Sequence, residues 1–149
     1  MTTLVVAAAV LIEGDKVLLT QRKAGSHLAL SWEFPGGKVD NEEDPRDALT
    51  RELREELGIE AIADEVVEVT FHRYPERAVL LLFFAAHRAP GSPDPRALDT
   101  RDFRWAKATE LDPALFPPAD LAVLQKVRAL MGGANDGGAR ELKDETPRP

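Results

Sequence analysis

With 149 residues, the chain has the length of one domain, and its 44% apolar content suffices for a substantial core. The absence of cysteine excludes disulfides and thiolate metal sites and permits a reducing compartment, so a cytoplasmic location is expected. A formal net charge of −7 argues against stable nucleic-acid binding, yet it leaves room for an anionic small molecule approached through metal ions.

The first apolar run, Leu4–Ile12, lacks a preceding basic residue and is followed by Glu13-Gly14-Asp15, so it reads as a buried strand and not as a signal segment. It is also too short to span a bilayer. Val5–Ile12 and Val17–Gln21 form a predicted hairpin, with the Glu13-Gly14-Asp15 segment as its tight turn. Ala24–Leu30 is a loop leading to Trp32-Glu33-Phe34-Pro35, which is extended because Pro35 disfavours helix at Phe34. Gly36-Gly37 reads as a turn that uses glycine's backbone freedom.

A helix follows, with Asp44 as N-cap, Pro45 at its first position, Asp47 in the first turn and Gly58 as its stop. Leu49, Leu53 and Leu57 define its buried stripe. Val66–Phe71 and Ala78–Ala86 are predicted strands joined through Tyr74-Pro75-Glu76-Arg77. Pro90–Leu98 is loop and Phe103–Ala106 a short strand. A last helix is expected over about Leu121–Met131, with Leu121, Leu124, Val127 and Leu130 on one side. Residues 132–149 hold Gly or Pro at six of eighteen positions and one large apolar residue, Leu142, so this tail is expected to be disordered, leaving 1–131 as the domain.

Charge is concentrated in residues 42–60, with eight Asp/Glu against three Arg. At roughly 100° per residue, Glu52, Glu55 and Glu56 fall within an arc of about 100° beside the leucine stripe. Hard carboxylate oxygens in that arrangement suit Mg²⁺ or Mn²⁺. The blander alternative is a solvated charged helix, with Arg51 and Glu55 as an i,i+4 pair.

The spacing of the whole segment favours the first reading. Gly37, five residues, Glu43, seven residues and then Arg51-Glu52-Leu53-Arg54-Glu55-Glu56-Leu57-Gly58-Ile59 match every defined position of the Nudix signature. The chain therefore resembles the Nudix hydrolases, which cleave nucleoside diphosphates linked to another moiety. The resemblance implies an α/β fold, an α/β/α sandwich with a mixed β-sheet between helices. It also implies Mg²⁺, with Mn²⁺ as the other candidate, held by Glu52, Glu55, Glu56 and the backbone carbonyl of Gly37. Glu52 is further implied to position or deprotonate the attacking water. Arg51 and Glu43 would hold the segment together.

Outside the signature, Gln21-Arg22-Lys23, His27 and Trp32-Glu33-Phe34-Pro35-Gly36-Gly37-Lys38 resemble the MutT subgroup, nucleoside triphosphate pyrophosphohydrolases that sanitise the nucleotide pool. The resemblance implies that Arg22 contacts phosphate and that His27, Phe34 and Arg77 shape the nucleoside pocket. It further places Asp99, six residues before Trp105, as a loop acid that completes the metal site or activates water. Phe116-Pro117-Pro118-Ala119-Asp120 departs at its last position, where the subgroup carries an asparagine that reads oxidised guanine. An ionised Asp120 only accepts hydrogen bonds, from a cytosine amino group or from guanine N1–H and N2–H₂. Strict 8-oxo-dGTP preference is then not expected, and CTP or 5-methyl-dCTP become rivals. Alternatively, Asp120 only caps the last helix. The expected activity is hydrolysis of a (modified) nucleoside triphosphate to monophosphate and pyrophosphate by a protein without a membrane partner, monomeric or homodimeric. The competing readings are a dinucleoside polyphosphate or nucleotide-sugar hydrolase, and a non-catalytic base-recognition module.

Overall fold

Alternation along the first strand organises the molecule. In the computed structural model, which describes residues 2–132, β1 (Leu4–Glu13) sends Ala7, Ala9 and Leu11 to one face and Ala8 and Val10 to the other. The first set packs on Leu49, Leu53 and Leu57 of α1 (Pro45–Leu57), and the second belongs to the core that includes Val123, Leu124 and Val127 of α2 (Leu121–Leu130). A strand apolar on both faces thus lies between two helices. The tail expected to be disordered lies, from residue 133 onward, outside the described residues.

The remaining strands are β2 (Lys16–Gln21), β3 (Trp32–Glu33), β4 (Gly36–Lys38), β5 (Ala61–Arg73), β6 (Ala78–Arg88) and β7 (Asp102–Lys107). The main path runs β3-β2-β1-β6-β5, with β4 pairing β1 and β7 pairing β2. β1 and β6 are parallel, from Leu4–Val79 to Leu11–Ala86, whereas the other pairings are antiparallel. The sheet is mixed, as expected. Its first hairpin closes on a Glu13–Lys16 pair, with Gly14 at φ 63° in the turn.

The ends of α1 follow the predicted signals. The Asp44 carboxylate accepts from the Arg46 N–H at 2.8 Å, and Gly58, at φ 69°, donates its N–H to the Arg54 carbonyl at 3.0 Å.

Three local expectations are corrected. Gly36-Gly37 is not a free turn but part of β4, paired with Ala7 and Ala8 of β1. β5 begins at Ala61 and not at Val66, because irregular register between Ala63 and Glu68 carries the polar Asp64-Glu65 segment without ending the strand. On α2, Leu121 and Leu130 are exposed, while Val123, Leu124 and Val127 are buried. Spacings of three residues lag a 3.6-residue period by about 60° each, so the ends of the expected stripe lie on opposite sides of the helix.

Candidate active site

The junction of β4 with α1 is built at backbone contact distance. A Cβ added to Gly36 would lie 2.0 Å from the Ala7 carbonyl oxygen, so this close pairing with β1 requires glycine. A Cβ on Gly37 would lie 2.3 Å from the Glu52 carboxyl carbon. The first acidic residue of the signature on α1 therefore rests against the bare backbone of β4.

Arg51 locks this junction. Its Nε and Nη2 each donate to the Glu43 carboxylate at 3.0 Å, a two-pronged pair. Nη2 also reaches the Lys38 carbonyl at 3.1 Å, and Nη1 donates to Glu52 at 2.9 Å. Glu55 is the more exposed acid, with its side chain 56% exposed and a 3.4 Å bond from Arg51. Burial pushes the Glu52 acid above the usual carboxylate range, against the opposing pull of Arg51. Glu56 takes the most perturbed position. Its acid is pushed up to about 9, first by burial and then by the charges of Glu33, Glu52 and Asp99, while the backbone N–H of Gly36 bonds it.

This donor set fits a hard divalent cation. Glu56 is raised by its acidic neighbours with no cation among the groups that lower it, and Gly37 leaves no side chain in the gap beside Glu52. Among the described residues, no three Asp, Glu or His side chains stand together as a finished ligand set. Mg²⁺ usually takes one or two protein carboxylates and fills its shell with water and substrate phosphate, a demand Glu52 and Glu56 could meet. Among the described residues no helix is long and apolar enough to cross a membrane.

Beside Glu56 opens a cavity of about 640 Å³, which brings together Arg22, His27, Phe34, Gly37, Arg77 and Asp120. Its size suits a nucleoside. Arg22 donates through Nε to Glu33 at 3.0 Å and through Nη1 to the His27 carbonyl at 3.0 Å. The His27 ring meets Tyr74 edge-on at 5.2 Å and lies 3.8 Å from Glu76. Phe34 is 3% exposed and packs edge-on against Phe83, so it is core and cavity wall at once. Arg77 is exposed at the turn, where its carbonyl accepts from the Tyr74 N–H at 2.9 Å. Asp99 lies outside the cavity wall. Its carboxylate pairs with Lys23, and its backbone N–H reaches the Glu56 carbonyl at 3.2 Å.

Asp120 is buried, 4% exposed, yet its side chain makes no capping bond to α2. The helix-cap alternative therefore fails. Burial, followed by the charge of Glu33, pushes its acid up to about 8, with Arg22 opposing. At neutral pH the group is mostly a neutral carboxylic acid, which donates one hydrogen bond and accepts others. The premise that made oxidised guanine unsuitable, an ionised acceptor, does not hold in this cavity.

Sequence reasoning passed over Glu33. It sits on β3 opposite Thr20 of β2 and lines the same cavity as Asp120. A signal existed: one acid inside the otherwise apolar Trp32–Pro35 segment, where burial needs a partner. Arg22 is that partner.

A family model described as the NUDIX domain matches residues 2–127. The chain is 37% identical over 115 residues to the 8-oxo-dGTP diphosphatase of Haemophilus influenzae, covering 77% of this chain and 83% of that protein. It is 38% identical over 125 residues to the CTP pyrophosphohydrolase of Escherichia coli, covering 84% and 91%. The solution structure of the Escherichia coli ORF135 protein superposes with a TM-score of 0.73 at 35% identity, covering 91% of this chain and 96% of that one. A signature-bearing helix locked on β4, a cavity at its side and matches along most of the chain agree: the protein belongs to the NUDIX domain family, on its MutT-like branch of hydrolases.

Proposed function

We propose that the protein hydrolyses a nucleoside triphosphate, oxidised guanine nucleotides foremost, to the monophosphate and pyrophosphate with Mg²⁺ or Mn²⁺, as a cytoplasmic nucleotide-pool sanitising enzyme. The observation that supports this most directly is that Glu56 of the acidic helix and Asp120 line one cavity. Phosphate chemistry and base reading thus fall within the span of a single nucleotide.

The base would enter toward Asp120 against Phe34, and the phosphates would extend toward Arg22 and the Glu52–Glu56 wall. A bound divalent cation supplies charge neutralisation at the phosphate oxygens and acidifies water. Glu52, held by Arg51 beside Gly37, would orient the attacking water and take its proton. Water oxygen would bond to phosphorus as the bridging P–O bond between the α- and β-phosphates breaks. One of the two products, monophosphate or pyrophosphate, takes the water oxygen and the other leaves with that bond's electron pair. Arg22 has Nη2 free of a protein partner among the described residues, and this is the donor available to phosphate.

The neutral state of Asp120 supports oxidised guanine, because an acid that donates does what an asparagine amide does at a purine carbonyl. CTP is the second reading, supported by the 38% identity to a CTP pyrophosphohydrolase. Pyrophosphate release from 8-oxo-dGTP, dGTP, CTP and 5-methyl-dCTP, with each metal, tests the proposal. Release from 8-oxo-dGTP at the highest kcat/KM is expected. Release from none of them, with turnover of a dinucleoside polyphosphate instead, overturns it.

A further inference from the structure

We infer that Glu33 is a specificity-determining residue of the nucleoside cavity, whose free carboxylate oxygen accepts hydrogen bonds from the 2-amino edge of a guanine-type base. The inference rests on the triphosphate-hydrolase reading and deepens it by naming the base edge that is read.

Its basis is geometric. Glu33 and Asp120 line the same cavity, and Glu33's charge bears on Asp120. One Glu33 oxygen, Oε1, is taken by Arg22 at 3.0 Å, and Oε2 has no hydrogen-bond partner among the described residues. β3 pins the residue, since Glu33 pairs with Thr20 and Trp32 with Gln21. A carboxylate fixed by its backbone, paired on one oxygen and open on the other, is a ready acceptor for a ligand donor. The same cavity supplies the complementary group: the Asp120 side chain is 4% exposed and has no hydrogen-bond partner among the described residues.

Burial raises the Glu33 acid too, but Arg22 opposes that shift by its charge and its hydrogen bond, so of the two carboxyl groups Glu33 is the acceptor. The Glu33 carboxylate accepts and the Asp120 acid donates. Guanine and its 8-oxo form present the matching pattern, with N1–H and N2–H₂ as adjacent donors beside the O6 acceptor. A base without the 2-amino group leaves part of that acceptor unpaired, and burial makes an unpaired acceptor costly. Arg22 separates the two possible roles of Glu33. If Glu33 acts only by holding Arg22 toward phosphate, its loss affects every triphosphate alike.

The test crosses enzyme with substrate: wild type and Glu33→Gln against 8-oxo-dGTP and 8-oxo-dITP, which lacks only the 2-amino group. Wild type is expected to lose about 10- to 100-fold in kcat/KM on removal of that group. In Glu33→Gln the difference between the substrates should shrink to within about threefold, chiefly through slower 8-oxo-dGTP turnover. An equal drop for both substrates would reduce Glu33 to an Arg22 anchor and overturn the inference. So would a wild type indifferent to the 2-amino group. Should Glu33→Gln fail to fold, the wild-type affinities for 8-oxo-dGMP and 8-oxo-dIMP decide, tighter binding of the first supporting the role and equal binding refuting it. Failure of the underlying reading looks different: no pyrophosphate is released from either triphosphate.

Discussion

Asp120→Asn isolates the consequence of a buried acid without a countercharge of its own. The folded protein holds its carboxyl proton up to about pH 8, whereas an exposed aspartate loses it near 3.8. Between those values the native state binds one more proton than the unfolded chain. Wild-type stability therefore falls as pH rises through that window and levels off above about pH 8. At about 1.4 kcal/mol per unit of displacement, the window bounds the loss at about 6 kcal/mol. Arg22 opposes the shift, Glu33 and Tyr74 also face the group, and water reaches the cavity, so we expect about 2–3 kcal/mol. Asparagine keeps the shape and removes the titration. Urea unfolding of both proteins at intervals from pH 5 to pH 9 reads the effect. The variant should gain on wild type by about that amount across the range. Parallel stability profiles would refute the reasoning. Base ranking supplies a second readout: acid and amide each present a donor and an acceptor, so the variant should rank substrates like wild type near pH 7 and diverge above pH 8.

Glu56→Gln should lower kcat by at least about 10²–10³-fold, the scale of losing one charge-stabilising group, while thermal unfolding shows no loss of stability. Near-wild-type turnover would remove Glu56 from the reaction. The neighbouring glycines should respond differently. Gly36→Ala drives a Cβ into the Ala7 backbone, with an expected loss of about 3 kcal/mol or more in denaturant unfolding, because neither β4 nor β1 can yield. Gly37→Ala meets only the Glu52 side-chain end, so activity and metal affinity should drop while stability changes by less than about 1 kcal/mol. Arg51→Lys loses the two-pronged grip on Glu43 and should destabilise by about 2–3 kcal/mol, measured the same way.

How much was legible in the sequence depended on whether the signal was local. The leucine stripe of α1, its Asp44 and Gly58 ends and the first hairpin follow from period and capping within a dozen residues, and the structure has all of them. β4 was missed because three residues containing two glycines have no strand propensity of their own. Their extended state comes from pairing with β1, roughly thirty residues away in sequence. The stripe on α2 failed for a different reason. Leucines three apart satisfy a count of apolar residues but not the helical phase, and the burial of Ala119, Asp120 and Val123 selects the side that faces inward.

The candidate site shows the same division, with one further lesson about charge. The placement of Glu52 and Glu56 beside the leucine stripe of α1 followed from spacing, but the state of each acid depends on which other acids the fold brings near, and no spacing encodes that. Glu33 from β3, Glu56 from α1, Asp99 from the loop before β7 and Asp120 from the turn before α2 are distant in sequence, yet their charges bear on one another. A core shaped by stability alone would not gather four carboxyl groups with Arg22 and Lys23 as the paired cations among them. The two-pronged arginine pairs, Arg51 with Glu43, Arg54 with Glu60 and Arg88 with Glu13, leave Glu56 and Asp120 without an arginine of their own. On the proposed function, ligands would relieve the crowding at the site: a cation at Glu52 and Glu56, and base donors at Glu33. On this argument cation and nucleotide should each raise the melting temperature, and together by more than the sum, since each removes repulsion that the other would otherwise meet. Strictly additive shifts would mean that the acids act independently.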